Sequence, residues 1–433
     1  MAVAREVVAA ERERLGAGAA AIGLDALAVD LVDRLTGFDG PGATEAGDDA
    51  RKGPTGVINA TGVLLHTNLG RASWPAAAIR AAAAAAAGPS LLELDRATGR
   101  RGPRSRVVEQ HLIALTGAED AFVTNNNAAA LALAVGLAGR GGRVIVSRGE
   151  LVEIGGGVRI PDVIRRAGAR LVEVGTTNRT RVEDIEAALA DGGARLVLRV
   201  HPSNFVQSGF VESPDPAGVA EVAHRFGAIL VDDLGSGALL ATESFGLAHE
   251  PTPRERLTAG ADLVTFSGDK LVGGPQAGLV VGRADLIKRL RRDPLARAMR
   301  PDKATTAAVA ATLALYRAGR AAQEIPLWRM VATPLEELRA RAERLVASTD
   351  RVAAAQLRST LGGGSLPGET LPSWGVAAEA RSADRLATAL RAGEPAVIAH
   401  IEDGRVVLDL RTVEPGDDAA LADAIARALA RVG

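Results

Sequence analysis

The chain has 433 residues, of which 47% are hydrophobic and 24% charged, and its formal net charge is -1. This composition belongs to a globular protein with one large domain and smaller companions, and it excludes a basic surface spread over the whole molecule. There is no cysteine, so disulfides, cysteine-ligated zinc, iron–sulfur clusters and thiol catalysis are excluded, and the six histidines lack metal-binding spacing.

Residues 1 to about 37 place apolar side chains at helical spacing in "AREVVAAERERL" and "LDALAVDLVDRL". A polar Gly/Pro-rich linker, Gly37–Gly56, follows. From Val57 to about Asp302, short apolar runs ("AFVT", "RVIVS", "ARLVEV", "ARLVLRV", "AILVDD", "DLVTFS") alternate with helical stretches. That alternation predicts parallel strands with crossover helices, an α/β fold. An alanine-rich helical region runs to about Ala347. Near the end, "AVIAHIEDGRVVLDLRTV" predicts two strands joined at Asp403-Gly404, and "DDAALADAIARALARV" a closing helix. The expected division is an N-terminal helical segment (1–50), a large α/β domain (51–305), and a linking helix with a small α+β domain (306–433). There is no secretory signal layout and no apolar run of membrane-spanning length, which points to the cytoplasm.

In open α/β sheets, ligands sit beyond the carboxyl ends of the strands. After "AFV" comes Thr124-Asn125-Asn126-Asn127, a helix start with free N–H groups that suits a phosphate, although one Asn alone would simply cap the helix. "ARLVLRV" is followed by His201 and Asn204, and "AILV" by Asp232 and Asp233 with glycines after them. The run "SGDKLVGGPQAG" (Ser267–Gly278) sets Lys270 in a glycine-rich turn between two apolar strands. No Walker A or GxGxxG pattern follows a strand. An amine for a Schiff base, a strand-end carboxylate for a pyridine nitrogen and an Asn-rich helix start for a phosphate are together the requirements of pyridoxal 5′-phosphate (PLP). The plain alternatives are a solvated loop lysine and an acid that merely ends its strand.

These residues, with "VINATGVLLHTNLGRA", "TNNNAAA", "VSRGELVEIGG", "RIPDV" and "EVGTTNRT", resemble the bacterial selenocysteine synthases, the L-seryl-tRNA(Sec) selenium transferases. The likeness is dense from Val57 to Lys303 and weaker through "GGGSLP" and "GRVVLDLR". It implies a PLP-dependent transferase of the aspartate-aminotransferase fold type. Such an enzyme eliminates the hydroxyl of seryl-tRNA(Sec) and adds selenium from selenophosphate to a dehydroalanyl intermediate. The resemblance implies Lys270 as the Schiff-base lysine, Asp269 as its orienting or acid–base partner, and Asp233 as the pyridinium partner, with Asp232 facing elsewhere. Asn125, Asn126 and Ser267 would hold the phosphate, Gly274 would offer an N–H across a dimer interface, and Asn204 would touch the ring hydroxyl. Arg71, Arg297 and Arg300 are the candidates for the selenophosphate oxygens, because guanidinium forks suit such anions. His66 would border the cofactor.

The resemblance further implies tRNA gripped by an N-terminal helical domain, whose counterpart here is shorter than is usual in the family. It also implies a homo-oligomeric ring of dimers, with Val174–Thr180 as a candidate dimer–dimer contact. Thr98–Arg106 and Lys288–Arg300 are basic stretches that suit tRNA phosphates or, equally, a solvated helix face. Two alternative functions share the same residues: a paralogous PLP-dependent lyase acting on a small amino acid or amino sugar, and a tRNA-binding paralogue without catalysis.

Overall fold

The computed structural model describes residues 56–202 and 205–432, with 9, 11, 12 and 14–16 near the start. The expected N-terminal helical segment therefore lies almost wholly outside the described residues. Fifteen strands occur in what is described: β1 (Val57–Asn59), β2 (Asp120–Thr124), β3 (Arg143–Ser147), β4 (Glu153–Ile154), β5 (Val158–Arg159), β6 (Arg170–Val174), β7 (Ala194–Val200), β8 (Ile229–Gly235), β9 (Leu263–Ser267), β10 (Gly278–Gly282), β11 (Val352–Thr360), β12 (Thr370–Ala378), β13 (Ala396–Ile398), β14 (His400–Glu402) and β15 (Arg405–Asp409).

Seven of them form the central sheet, in the order β2-β10-β9-β8-β7-β3-β6. All neighbours run parallel except β10, which is antiparallel to both β2 and β9. The reversal has a local cause, since β9 and β10 are joined directly by the Lys270 turn without a crossover helix. Helices cover both faces, so the central strands are apolar throughout; every residue of β9 and β10 is buried. Strand alternation splits the core in two. Val144 and Val146 enter one cluster, Ile145 the other; likewise Leu230 and Val231 part company.

The small domain is an antiparallel sheet, β11-β12-β15-β14, with Asp403 (φ 48°) and Gly404 (φ 72°) making the expected tight turn between its last two strands. Two assignments differ from the sequence reading. The expected start of the large domain, β1, pairs in parallel with β13, and Ile58 and Ala60 join the small-domain core. The alanine-rich region is four helices: Lys303–Arg317, Ala321–Glu324, Pro326–Ala332 and Leu335–Ser348. The first of these contributes Val309, Leu313 and Tyr316 to the large-domain core. Helical periodicity shows an apolar stripe without showing which sheet it will meet. No helix among the described residues is long and apolar enough to cross a membrane.

Candidate active site

The carboxyl ends of β2, β7, β8 and β9 converge on a cleft of about 410 Å³, lined among others by Arg71, Asn126, Asn127, Asp233, Ser267 and Lys270. Position within the sheet sets the orientation of its acids. Neighbours on β8 point to opposite faces, so Asp233 turns toward the helix Asn127–Gly136 while Asp232 turns away. Asn127 Nδ2 and Thr265 Oγ1 each donate to Asp233 Oδ1 at 2.8 Å. Burial pushes the Asp233 carboxyl above its ordinary range, while these donors and the charge of Lys270 pull the other way. Asp232 lies 3.5 Å from Arg256 Nε, in a buried charge group with Arg199 and Glu150. Asp233 thus lines the cleft, while Asp232 faces the buried charge group.

Lys270 caps the end of β9 with its neighbour Asp269 facing Arg71, whose Nη1 donates to Asp269 Oδ2 at 2.8 Å. Arg71 has φ 63°, a left-handed conformation that a non-glycine residue rarely adopts and that surrounding contacts must hold. Burial, and then the charge of Arg71, press the Lys270 ammonium below its ordinary range; Asp233, Asp269 and Glu250 oppose them. A neutral amine is the nucleophilic form, so this environment suits attack on a carbonyl. The turn is held from behind. Trp328 Nε1 donates to Leu271 O at 2.9 Å, and the hydroxyl of Tyr316, the chain's one tyrosine, lies 3.0 Å from Leu271 O and 2.9 Å from Val272 O.

Asn126 caps its helix, its Oδ1 accepting from Ala129 N at 2.9 Å, and also lines the cleft. Asn125 is exposed and is absent from the cleft lining; its N–H donates to Met299 O at 2.8 Å. The Gly274 N–H is already committed to Gly268 O at 2.9 Å, with Thr312 packed on its other side, so in this chain it is not free for a phosphate. Asn204 lies outside the described residues. His66 is half-buried, its Nδ1 without a partner. Arg297 and Arg300 do not line the cleft of their own chain: Arg297 is exposed, and Arg300 lies 3.5 Å from Glu93, which also pairs with Arg101 and Arg104. Much of the basic charge in both stretches is thereby neutralised locally, Arg106 by Asp95 and Arg291 by Asp120 and Glu109. Val174–Thr180 contributes Thr176–Thr180 to a second cavity beyond His201.

Thr265 is not among the sequence candidates, and Asn127 and His201 stand there only in a helix start and at a strand end, without these partners. The third Asn of "TNNNA" was itself a signal, being more than a cap requires; Thr265 looked like an ordinary strand residue. His201 sits at the end of β7, its Nε2 3.7 Å from Glu250 Oε1, and its N–H donates to Asp233 O at 2.9 Å. Burial, Arg256 and Lys270 push its imidazole down to about 4, so it is neutral at physiological pH.

The cleft fits PLP. Both hydrogen bonds to Asp233 fall on Oδ1 and neither on Oδ2. Gly235, at φ 63°, lines the cleft beside Lys270. Asn126 and Ser267 line the end where a helix begins.

The L-seryl-tRNA selenium transferase family model matches residues 57–414. The L-seryl-tRNA(Sec) selenium transferase of Moorella thermoacetica is 48% identical over 384 residues, covering 86% of this chain and 81% of that protein. That of Hyphomonas neptunium is 47% identical over 399 residues, covering 89% and 86%. The chain belongs to the L-seryl-tRNA selenium transferase family. The fold of this family member is also that of a solved D-glucosaminate-6-phosphate ammonia-lyase, with a TM-score of 0.63 over 87% of this chain and 96% of the lyase. At 24% identity the likeness to the lyase is one of fold alone.

Proposed function

We propose that the protein converts L-seryl-tRNA(Sec) to L-selenocysteinyl-tRNA(Sec) with selenophosphate, in a PLP-dependent reaction. The observation that carries this is the meeting of Lys270 and Asp233 in one cleft, in a chain 48% identical to a transferase of that name. Lys270 and Asp233, with Asn126 and Ser267 at the phosphate end, would hold the cofactor. Bound there, PLP supplies an electron sink for the pair left when the seryl α-proton departs.

The chain's own groups divide the remaining work. Lys270, whose ammonium burial and Arg71 press below its ordinary range, serves as the base that takes the α-proton. Asp233, held by Asn127 and Thr265, presents negative charge to the ring nitrogen. Arg71, fixed by Asp269, is the selenophosphate ligand within this chain. Arg297 and Arg300, outside their own cleft, suit a site shared between subunits, in a homo-oligomer of at least a dimer, with Asn204 at the ring hydroxyl. The tRNA is bound by the N-terminal segment and the enzyme works in the cytoplasm.

Purified protein given seryl-tRNA(Sec) and selenophosphate should yield selenocysteinyl-tRNA. Preference for free serine or an amino sugar would make the lyase reading correct instead. Borohydride treatment of the PLP-loaded protein should fix the cofactor on the peptide carrying Lys270, and Lys270→Ala should be colourless and inactive. A yellow, active Lys270→Ala protein would end the assignment.

A further inference from the structure

The small domain reaches the Lys270 cleft through the turn between β11 and β12, where Gly363 and Gly364 join the lining. Gly362, Gly363 and Gly364 all have positive φ, at 70°, 55° and 81°, which residues with side chains rarely adopt. Close packing accounts for part of this. A Cβ on Gly362 would stand 2.4 Å from Val63 Cγ1, and one on Gly363 would stand 2.5 Å from Leu65 O. The turn is thereby pinned to the segment that leads to Arg71, and the Leu65 N–H donates to Leu361 O at 2.8 Å.

Packing does not account for the donors. The N–H groups of Gly362, Gly363 and Gly364 make no hydrogen bond among the described residues, although all three glycines are half-buried. The next residue, Ser365, is 2% exposed, and its hydroxyl has no partner either. Buried polar groups are seldom left unpaired, so unspent donors beside a cleft point to an acceptor on the ligand. Charge decides which acceptor. Among the described residues lining the cleft, the cations are Arg71 and Lys270 and the acids are Asp233 and Asp269, with Arg71 already bound to Asp269. The phosphate of PLP turns that balance negative. A second anion at the glycine wall would meet no spare cation there, whereas neutral N–H groups suit a neutral carbonyl oxygen.

Free serine brings a carboxylate to the cleft; serine esterified to tRNA brings a carbonyl beside the same α-carbon. We propose that the Gly362–Gly364 turn is the wall that recognises the ester, the N–H groups of Gly363 and Gly364 donating to the carbonyl oxygen of the seryl group. This assignment rests on the reading of the substrate as seryl-tRNA, and it makes the turn the feature that selects esterified serine over free serine. The same donors serve the chemistry. When Lys270 takes the α-proton, the electron pair of the broken C–H bond spreads onto the carbonyl oxygen as well as toward PLP. Donors fixed in place beforehand stabilise the charge that gathers on that oxygen.

The test gives PLP-loaded wild-type enzyme L-serine methyl ester, L-serine or selenophosphate, and reads amide hydrogen exchange on peptides spanning Thr360–Leu366. The ester should slow exchange at Gly363 and Gly364 by at least about tenfold, the scale of one hydrogen bond, and the other two ligands should not. A second arm measures affinities by cofactor absorbance in Gly364→Asn, which adds bulk and tolerates the left-handed backbone, and in Gly364→Lys, which adds bulk and a cation. The preference for ester over serine should be at least about tenfold smaller in the lysine variant than in the asparagine variant. Exchange that the ester leaves unchanged, or that selenophosphate slows equally, overturns the assignment, and so does the same preference in both variants. The exchange arm decides even where a variant fails to fold. Turnover of seryl-tRNA(Sec) by the wild type, measured in parallel, separates the two claims: its absence overturns the function, whereas unprotected glycines in an enzyme that turns over overturn the ester wall.

Discussion

Lys270 is governed by competing charges, and Arg71 is the foremost of those that lower its pKa. Its positive charge lowers the Lys270 pKa, and its loss also leaves Asp269 without its ion-pair partner, which raises that pKa further. In Arg71→Gln, the pH profile for covalent incorporation of PLP into apoprotein should therefore move to higher pH; a shift to lower pH would contradict the account. His201 carries a stability signature of its own. Its folded pKa, about 4, lies below the unfolded value of about 6.5, so the unfolded chain binds more protons between those limits. Stability from this group is complete above about pH 6.5 and is lost on acidification toward pH 4, by up to about 3 kcal/mol. Urea unfolding of His201→Gln across that window should show a shallower acid decline than the wild type. An identical slope would remove His201 as its source.

The strand β10 brings the phosphate end of the cleft together by being thin. Gly278 pairs with Thr124 on one side and Ser267 on the other. A Cβ there would stand 2.2 Å from both Asn126 O and Thr124 Oγ1, a distance no packing tolerates. Gly278→Ala must push the Asn126 cap away from Ser267, costing about 1–3 kcal/mol as an overpacked core does. PLP retention on gel filtration should fall in this variant while the far-ultraviolet dichroism stays native; full retention would show that the cap can move freely. Glycine there was legible as a turn residue, but its need for closeness was not. That need arises from β2, more than a hundred residues earlier in the chain.

The two domains do not follow chain order: β1 enters the small domain and the helix Lys303–Arg317 enters the large one. Arg341 is a buried polar tie within the small domain. It is 3% exposed, makes two hydrogen bonds to Asp418, and also donates to Leu410 O and Val413 O. Removing one partner of a buried pair costs about 3–5 kcal/mol, and the partial exposure of Asp418 places this one near the lower end. Limited proteolysis of Arg341→Ala should cut the C-terminal region first and leave a fragment carrying Lys270 and Asp233. Uniform digestion of the whole chain would mean that the domains unfold as one.

The sequence by itself determined the α/β class, the run of strand-end loops, and the pairing of Lys270 with an acid, because strand periodicity and turn chemistry are local. Strand alternation required only that Asp232 and Asp233 face opposite ways; the choice of Asp233 between them came from the family resemblance. Only the tertiary structure decided that Asn127 and Thr265 hold Asp233, that Arg71 meets Asp269 across 198 positions of sequence, and that Arg300 turns to Glu93 outside the cleft. These contacts depend on strand order, and order is set by which apolar faces bury one another best, a sum over the whole chain that no single segment carries.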